Sequence, residues 1–137
     1  MRKFDFSLCD EICFLDDNNI DLFINTIPLR KKYPELKRVL FNNVHTAVDY
    51  LEKNKDCRRI FFLDLHIGTE SGFDFLKIIE QKSLSNTNII MLTSSRDPSD
   101  KEKALSFSSL DAFCVKPMTT ELLNSLDINI NRQTNHL

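Results

Sequence analysis

Five polar residues in this chain stand directly after apolar runs. Asp16 and Asp17 follow Glu11-Ile12-Cys13-Phe14-Leu15, and Asp64 follows Ile60-Phe61-Phe62-Leu63. Thr93 follows Asn88-Ile89-Ile90-Met91-Leu92, and Lys116 follows Ala112-Phe113-Cys114-Val115. Burying an unpaired carboxylate is expensive. An acid that ends an oily run is therefore expected where the strand leaves the core, with its oxygens in an open site. Acids at close quarters repel and must hold protons or a cation. Magnesium prefers carboxylate oxygens and keeps some of its waters, so an edge formed by Asp16, Asp17 and Asp64 suits it. A lysine and a hydroxyl facing that ion are what a phosphoryl group needs around its oxygens. One acid can then act as the nucleophile and form an aspartyl phosphate. Asp64 is the choice, because it stands alone on the central strand, and the paired acids are better placed to hold the metal.

Each signal is ordinary by itself. An Asp-Asp pair after a strand is usually turn chemistry or a helix cap. A lone Lys-Pro is usually a loop, and a lone Thr a local hydrogen bond. Their coincidence at successive strand ends is what points to a site.

The elements that must position them read as strand then helix, repeated five times along the chain. The strands are Glu11 to Leu15, Leu36 to Phe41, Ile60 to Leu65, Asn88 to Leu92 and Ala112 to Val115. Short continuous apolar runs suit strands buried on both faces. Between them lie amphipathic helical patterns. The first has Ile20, Phe23, Ile24 and Ile27 on one face and Asn18 or Asn19 as cap. The second carries Ala47, Val48 and Leu51, and the third Phe73, Leu76 and Ile79. The fourth starts at Asp97-Pro98 and runs to about Ser108. The last is capped by Thr119 or Thr120, with Leu122, Leu123, Leu126 and Ile130 inward. Residues 1–8 read as a lead-in and His66 to Ser71 as a loop. This alternation predicts an α/β fold with a parallel sheet covered on both faces, in which ligands bind at the carboxyl ends of the strands.

The 137 residues fit a single domain, 1–137, with its core at about 11–131 and a frayed tail at 132–137. The formal net charge of -2 gives no case for nucleic acid or an anionic membrane. No apolar run approaches the ~20 residues of a spanning helix, and the start lacks a signal-peptide apolar region. A cytoplasmic protein is expected, with Cys9, Cys13, Cys57 and Cys114 as free thiols. Their spacing against His45, His66 and His136 does not suit zinc.

The chain resembles the receiver domain of two-component response regulators, from about Ile12 to Ile130. The matching motifs are Asp16-Asp17-Asn18, Leu63-Asp64-Leu65 with Gly72 eight residues after Asp64, Met91-Leu92-Thr93-Ser94-Ser95, and Phe113-Cys114-Val115-Lys116-Pro117. Asp97-Pro98-Ser99-Asp100 also looks like a subgroup of stand-alone bacterial receivers. The resemblance implies a flavodoxin-like (βα)5 three-layer sandwich with strand order 2-1-3-4-5. It implies that Asp64 is the phosphoacceptor, and that Asp16, Asp17, Asp64 and the backbone carbonyl of His66 hold Mg2+. Lys116 would bind the phosphoryl oxygens, Thr93 would move to hydrogen-bond them, and Phe113 would be the switch aromatic. The bond before Pro117 would be cis.

The implied function is a signalling receiver that catalyses only its own phosphorylation and dephosphorylation. Its donor would be a sensor histidine kinase or a histidine phosphotransfer protein. Its output would be protein contact through the face of helix 4, strand 5 and helix 5, or onward phosphotransfer, since no DNA-binding or enzymatic segment follows residue 131. One departure stands in the loop after Asp64, where Gly68 occupies the place usual for proline. Two alternatives carry less weight. An aspartate-nucleophile phosphatase needs a second acid two residues after the nucleophile, and that position is His66. A phosphorylation-independent adaptor of the same fold would tend to lose some of Asp16, Asp17, Asp64, Thr93 and Lys116.

Overall fold

The computed structural model describes residues 2–84 and 87–129. Its main strands are β1 (Glu11–Leu15), β2 (Lys37–Phe41), β3 (Arg59–Leu63), β6 (Thr87–Thr93) and β7 (Leu110–Val115). They form one parallel sheet in the order β2-β1-β3-β6-β7. Two further short strands, β4 (His66–Ile67) and β5 (Glu70–Ser71), pair only with each other. With that hairpin set aside, the order along the chain is 2-1-3-4-5, the flavodoxin-like order. The helices are α1 (Asn19–Lys32), α2 (Val44–Lys53), α3 (Gly72–Lys82), α4 (Pro98–Leu105) and α5 (Thr120–Leu126).

Strand alternation splits the interior into two cores. Ile12 and Phe14 of β1, Ile60 and Phe62 of β3, and Ile90 and Leu92 of β6 face Leu22 and Leu29 of α1 and Leu123 and Leu126 of α5. Cys13, Leu15, Phe61, Leu63, Ile89 and Met91 face α2, α3 and Ala104 of α4. Every residue of β1 and β3 is buried, which is why Ile12 to Leu15 and Ile60 to Leu63 are unbroken apolar runs and the charged first residue of each strand, Glu11 or Arg59, is paired with the other. Phenylalanines anchor both layers, Phe14 against Phe62 at 5.0 Å and Phe61 against Phe75 at 4.8 Å between ring centroids. Each such buried side chain contributes roughly 1.5–3 kcal/mol by transfer from water.

Four expectations are corrected. Residues 1–8 are more than a lead-in, and the core begins before residue 11. Phe4 and Phe6 are buried, and Phe4 bridges to Asp127 after α5. The segment His66 to Ser71 is a hairpin rather than an irregular loop. Helix α4 stops at Leu105, short of Ser108. The inner face of α1 is Leu22, Asn25, Thr26 and Leu29, on the opposite side of the helix from Ile20, Phe23, Ile24 and Ile27. Ile20 is 71% and Phe23 59% exposed. Leu22 and Leu29 join the core, and the two polar groups between them can go inward because they are satisfied there. Asn25 Oδ1 accepts the Met118 N–H at 2.8 Å, and Thr26 Oγ1 donates to the Phe23 carbonyl at 2.8 Å. Ile130 and the 132–137 tail lie outside the described residues.

At the amino edge of the sheet, Arg59 and Glu11 are both buried and pair at 3.0 Å. Arg59 also donates to the Asn54 carbonyl at 2.6 Å, and Glu11 accepts the Tyr50 hydroxyl at 2.7 Å. Burial alone would raise the Glu11 carboxyl, but the hydrogen bonds from Tyr50, Arg59 and Cys13 outweigh it and hold it below its ordinary 4.5. A lowered carboxyl stabilises the fold above its unfolded value, and that contribution is lost as pH falls through the lower folded value. Arg59→Met removes the buried partner of Glu11 and leaves it only the exposed Lys37 ammonium at 3.8 Å, and is expected to cost roughly 3 kcal/mol. Urea unfolding near pH 7 measures this. An unchanged midpoint would show that the pair contributes nothing.

Candidate functional site

Parallel pairing brings the carboxyl ends of the strands to one edge, and register sets which residues meet there. Leu15 lies beside Leu63. The next residues, Asp16 and Asp64, therefore leave the sheet side by side, and each is held by its backbone. The Asp16 N–H donates to the Phe41 carbonyl at 3.1 Å and the Asp64 N–H to the Leu15 carbonyl at 2.9 Å. Thr93 pairs with Val115, and the Lys116 N–H reaches the Thr93 carbonyl at 2.8 Å. The Lys116–Pro117 peptide bond is cis.

Three carboxylates gather as a result. Asp16, Asp17 and Asp64 each offer an oxygen within 4.8 Å of the others. Asp16 and Asp64 are buried and Asp17 is exposed. The Lys116 ammonium donates to Asp16 Oδ2 at 2.7 Å and to Asp64 Oδ2 at 3.1 Å. It also donates to Asp21 Oδ2 at 3.0 Å. Burial would lower the Lys116 pKa, but hydrogen bonds to Asp16 and Asp21 and the charges of Asp64 and Asp16 drive it upward. Lys116 is therefore firmly cationic. The Asp16 carboxyl is held above its ordinary range, chiefly because burial penalises its charge and despite the Lys116 hydrogen bond. One ammonium cannot neutralise this group of acids. The donor set, hard anionic oxygens only, fits a divalent cation with open positions.

The remaining oxygens are occupied by local bonds that fix the acids. Asp16 Oδ1 accepts the Asn18 N–H at 2.9 Å, and Asp64 Oδ1 accepts the Leu65 N–H at 2.8 Å. Asp17 Oδ2 accepts the Gly68 N–H at 2.7 Å. This explains Gly68. It is the first residue of the turn between β4 and β5 and takes φ +60, and its N–H is a donor. Proline offers neither that φ nor that donor. Gly72 is required for a different reason. A Cβ there would stand 2.6 Å from the Asp64 carbonyl oxygen.

Of the other residues singled out, Thr93 is fully buried, and its Oγ1 accepts the Ser95 N–H at 3.3 Å. Phe113 is half-buried and sits beside Met91 in the register. His66 opens the hairpin with its side chain exposed. Sequence reasoning missed Asp21. The signal was present, since Asn18 caps α1 by accepting from Ile20 N and Asp21 N, and that places Asp21 in the first turn, beside the strand ends.

A family model for the response regulator receiver domain matches residues 12–126. The chain belongs to the response regulator receiver family. No curated protein matches this receiver chain in sequence. Solved structures share its fold. A two-component response regulator from Cytophaga hutchinsonii superposes with a TM-score of 0.75 at 23% identity, covering 93% of this chain and 98% of that one. A response regulator from Burkholderia pseudomallei, solved with a phosphorylated aspartic acid, calcium ion and citrate, gives 0.67 at 19% identity, covering 93% and 72%. The Mn(2+)-bound form of response regulator Rcp1 gives 0.65 at 17%, covering 84% and 87%. Among the described residues, no helix is long and apolar enough to cross a membrane.

A ligand that binds only the folded chain raises its stability by mass action. Millimolar divalent cation is therefore expected to raise the melting temperature of the receiver, and Asp17→Ala to remove most of that increase. Differential scanning fluorimetry with and without the cation reads both. An Asp17→Ala protein that keeps the full increase would place the cation elsewhere.

Proposed function

We propose that this receiver is a phosphorelay switch that takes a phosphoryl group from a phosphohistidine onto Asp64, with Mg2+ held by Asp16, Asp17, Asp64 and the His66 carbonyl. The observation that carries the reading is the convergence of the Lys116 ammonium and the Asp16 and Asp17 carboxylates on Asp64. A carboxylate oxygen of Asp64 attacks phosphorus in line, the P–N bond breaks, and its electron pair returns to the donor imidazole. The ion would neutralise charge on the phosphoryl oxygens and on the attacking carboxylate. Asp64 is held still by the Leu65 N–H and by a strand buried on both faces. Lys116 moves its hydrogen bond from Asp64 to a phosphoryl oxygen.

Phosphorylation adds charge and acceptor oxygens at the sheet edge. Thr93 then swings its hydroxyl to one of them, giving up its bond to the Ser95 N–H. Phe113, half-buried one strand away, repacks as Thr93 moves. That couples Asp64 to the face of α4, β7 and α5, where the downstream protein binds.

The donor docks on the outer face of α1. Ile20, Phe23 and Ile24 are 71%, 59% and 42% exposed, and Phe23 shares a groove with Leu40 of β2, itself 51% exposed. Exposed apolar groups of this kind mark interaction sites. Asp21 on the same turn touches Lys116, so a protein that brings a histidine to Asp64 must cover this end of α1.

With Mg2+ and a small phosphodonor, the protein is expected to gain one acid-labile phosphoryl group, and Asp64→Asn to lose it. Labelling that survives the substitution would sink the acceptor assignment. In the same assay, Phe23→Ala with Ile24→Ala should slow transfer from a phosphohistidine protein about tenfold and leave the small donor unaffected. Equal loss with both donors would contradict the docking face.

A further inference from the structure

Lys116 has three N–H bonds to give, and each meets a different carboxylate, those of Asp16, Asp21 and Asp64. Two of these acids belong to the cluster that would hold the cation. Asp21 does not. It is the third residue of α1, and its backbone N–H is fixed by the Asn18 cap at 3.1 Å. Its side chain is 41% exposed against 10% for Lys116, so it forms the outer wall beside the ammonium.

This arrangement addresses a conflict in the site. An ammonium within about 3 Å of two metal ligands competes with the ion for the same lone pairs. With a cation held by Asp16 and Asp64, Lys116 would lose two of its partners. A long, flexible lysine without a fixed partner spreads over many rotamers, and that freedom must be lost again in the reaction. Asp21 is the one carboxylate contacting Lys116 that neither the ion nor the phosphoryl group takes over.

We propose that Asp21 is a positioning residue for Lys116. It keeps one N–H engaged throughout the cycle and leaves the other two aimed at the incoming phosphoryl oxygens. The inference rests on the phosphoacceptor reading of Asp64. It opposes the simplest electrostatic expectation. A fourth carboxylate near the pocket repels an anionic donor, so removing its charge alone should speed phosphorylation.

The test is phosphorylation by a small donor at saturating Mg2+, in the parent and in Asp21→Asn, Asp21→Glu, Lys116→Met and the Asp21→Asn/Lys116→Met double variant. Asp21→Asn is expected to slow the reaction fivefold or more, Asp21→Glu to recover most of the rate, and Asp21→Asn to add nothing in the Lys116→Met background. A faster or unchanged Asp21→Asn would overturn the proposal. So would an equal slowing without Lys116, which would mark a merely structural role. A second readout needs no phosphodonor. In the Mg2+-loaded protein, the Lys116 ammonium resonance in 1H–15N NMR should be protected from exchange in the parent and in Asp21→Glu, and lost in Asp21→Asn. Protection that persists in Asp21→Asn overturns the positioning role. A parent that takes no phosphoryl group counts against the Asp64 reading, while the NMR comparison still decides Asp21.

Discussion

The structure depends on a charge imbalance that the sheet imposes and one lysine partly offsets. Backbone register brings Asp16 and Asp64 out of the core side by side, with Asp17 next to them. Lys116 crosses from β7 to join them, and it reaches Asp21 as well. Four acids around one ammonium form an incomplete arrangement. The raised carboxyl of Asp16 records the burial that makes its charge costly. A packed core has no use for such a cluster. A divalent cation fits such a cluster, because it supplies the positive charge that the acids lack.

The scaffold keeps that imbalance from collapsing. The strands beneath the acids are buried on both faces and stacked with phenylalanines, so the acids cannot drift apart to relax their repulsion. Backbone donors hold their second oxygens, from Asn18, Leu65 and Gly68. The buried pair of Glu11 and Arg59 secures the opposite edge of the sheet. Rigid support therefore holds three acids, one ammonium and the buried hydroxyl of Thr93 at one edge of the sheet.

Much of this was legible in the sequence for a physical reason. Strands buried on both faces must be apolar without interruption, so β1, β3 and β6 announce themselves, and so do the polar residues that end them. Cap chemistry located α4 through Asp97-Pro98 and α5 through Thr119 or Thr120, of which Thr119 is the cap. The misreadings share a cause. Helical periodicity names an apolar stripe but does not say which way it faces, and in α1 a mixed face of Leu22, Asn25, Thr26 and Leu29 took the inside, with Asn25 satisfied by the Met118 N–H. Asp21 went unnoticed because its partner is 95 residues away. Phe4 and Phe6 lie outside any periodic pattern and are buried through contacts with distant elements. Gly68 stood out only as the missing proline, since the bond it makes to Asp17 spans 51 residues.

The central claim is that Asp64 receives a phosphoryl group held by Lys116 and Thr93. Beryllofluoride mimics that group on a carboxylate, so a crystal structure of the protein with Mg2+ and beryllofluoride tests the claim most directly. The expected result is beryllium on an Asp64 oxygen, with Lys116 Nζ and Thr93 Oγ1 within hydrogen-bond distance of its fluorines. Beryllofluoride on another carboxylate, or Lys116 and Thr93 left in their present hydrogen bonds, would contradict it.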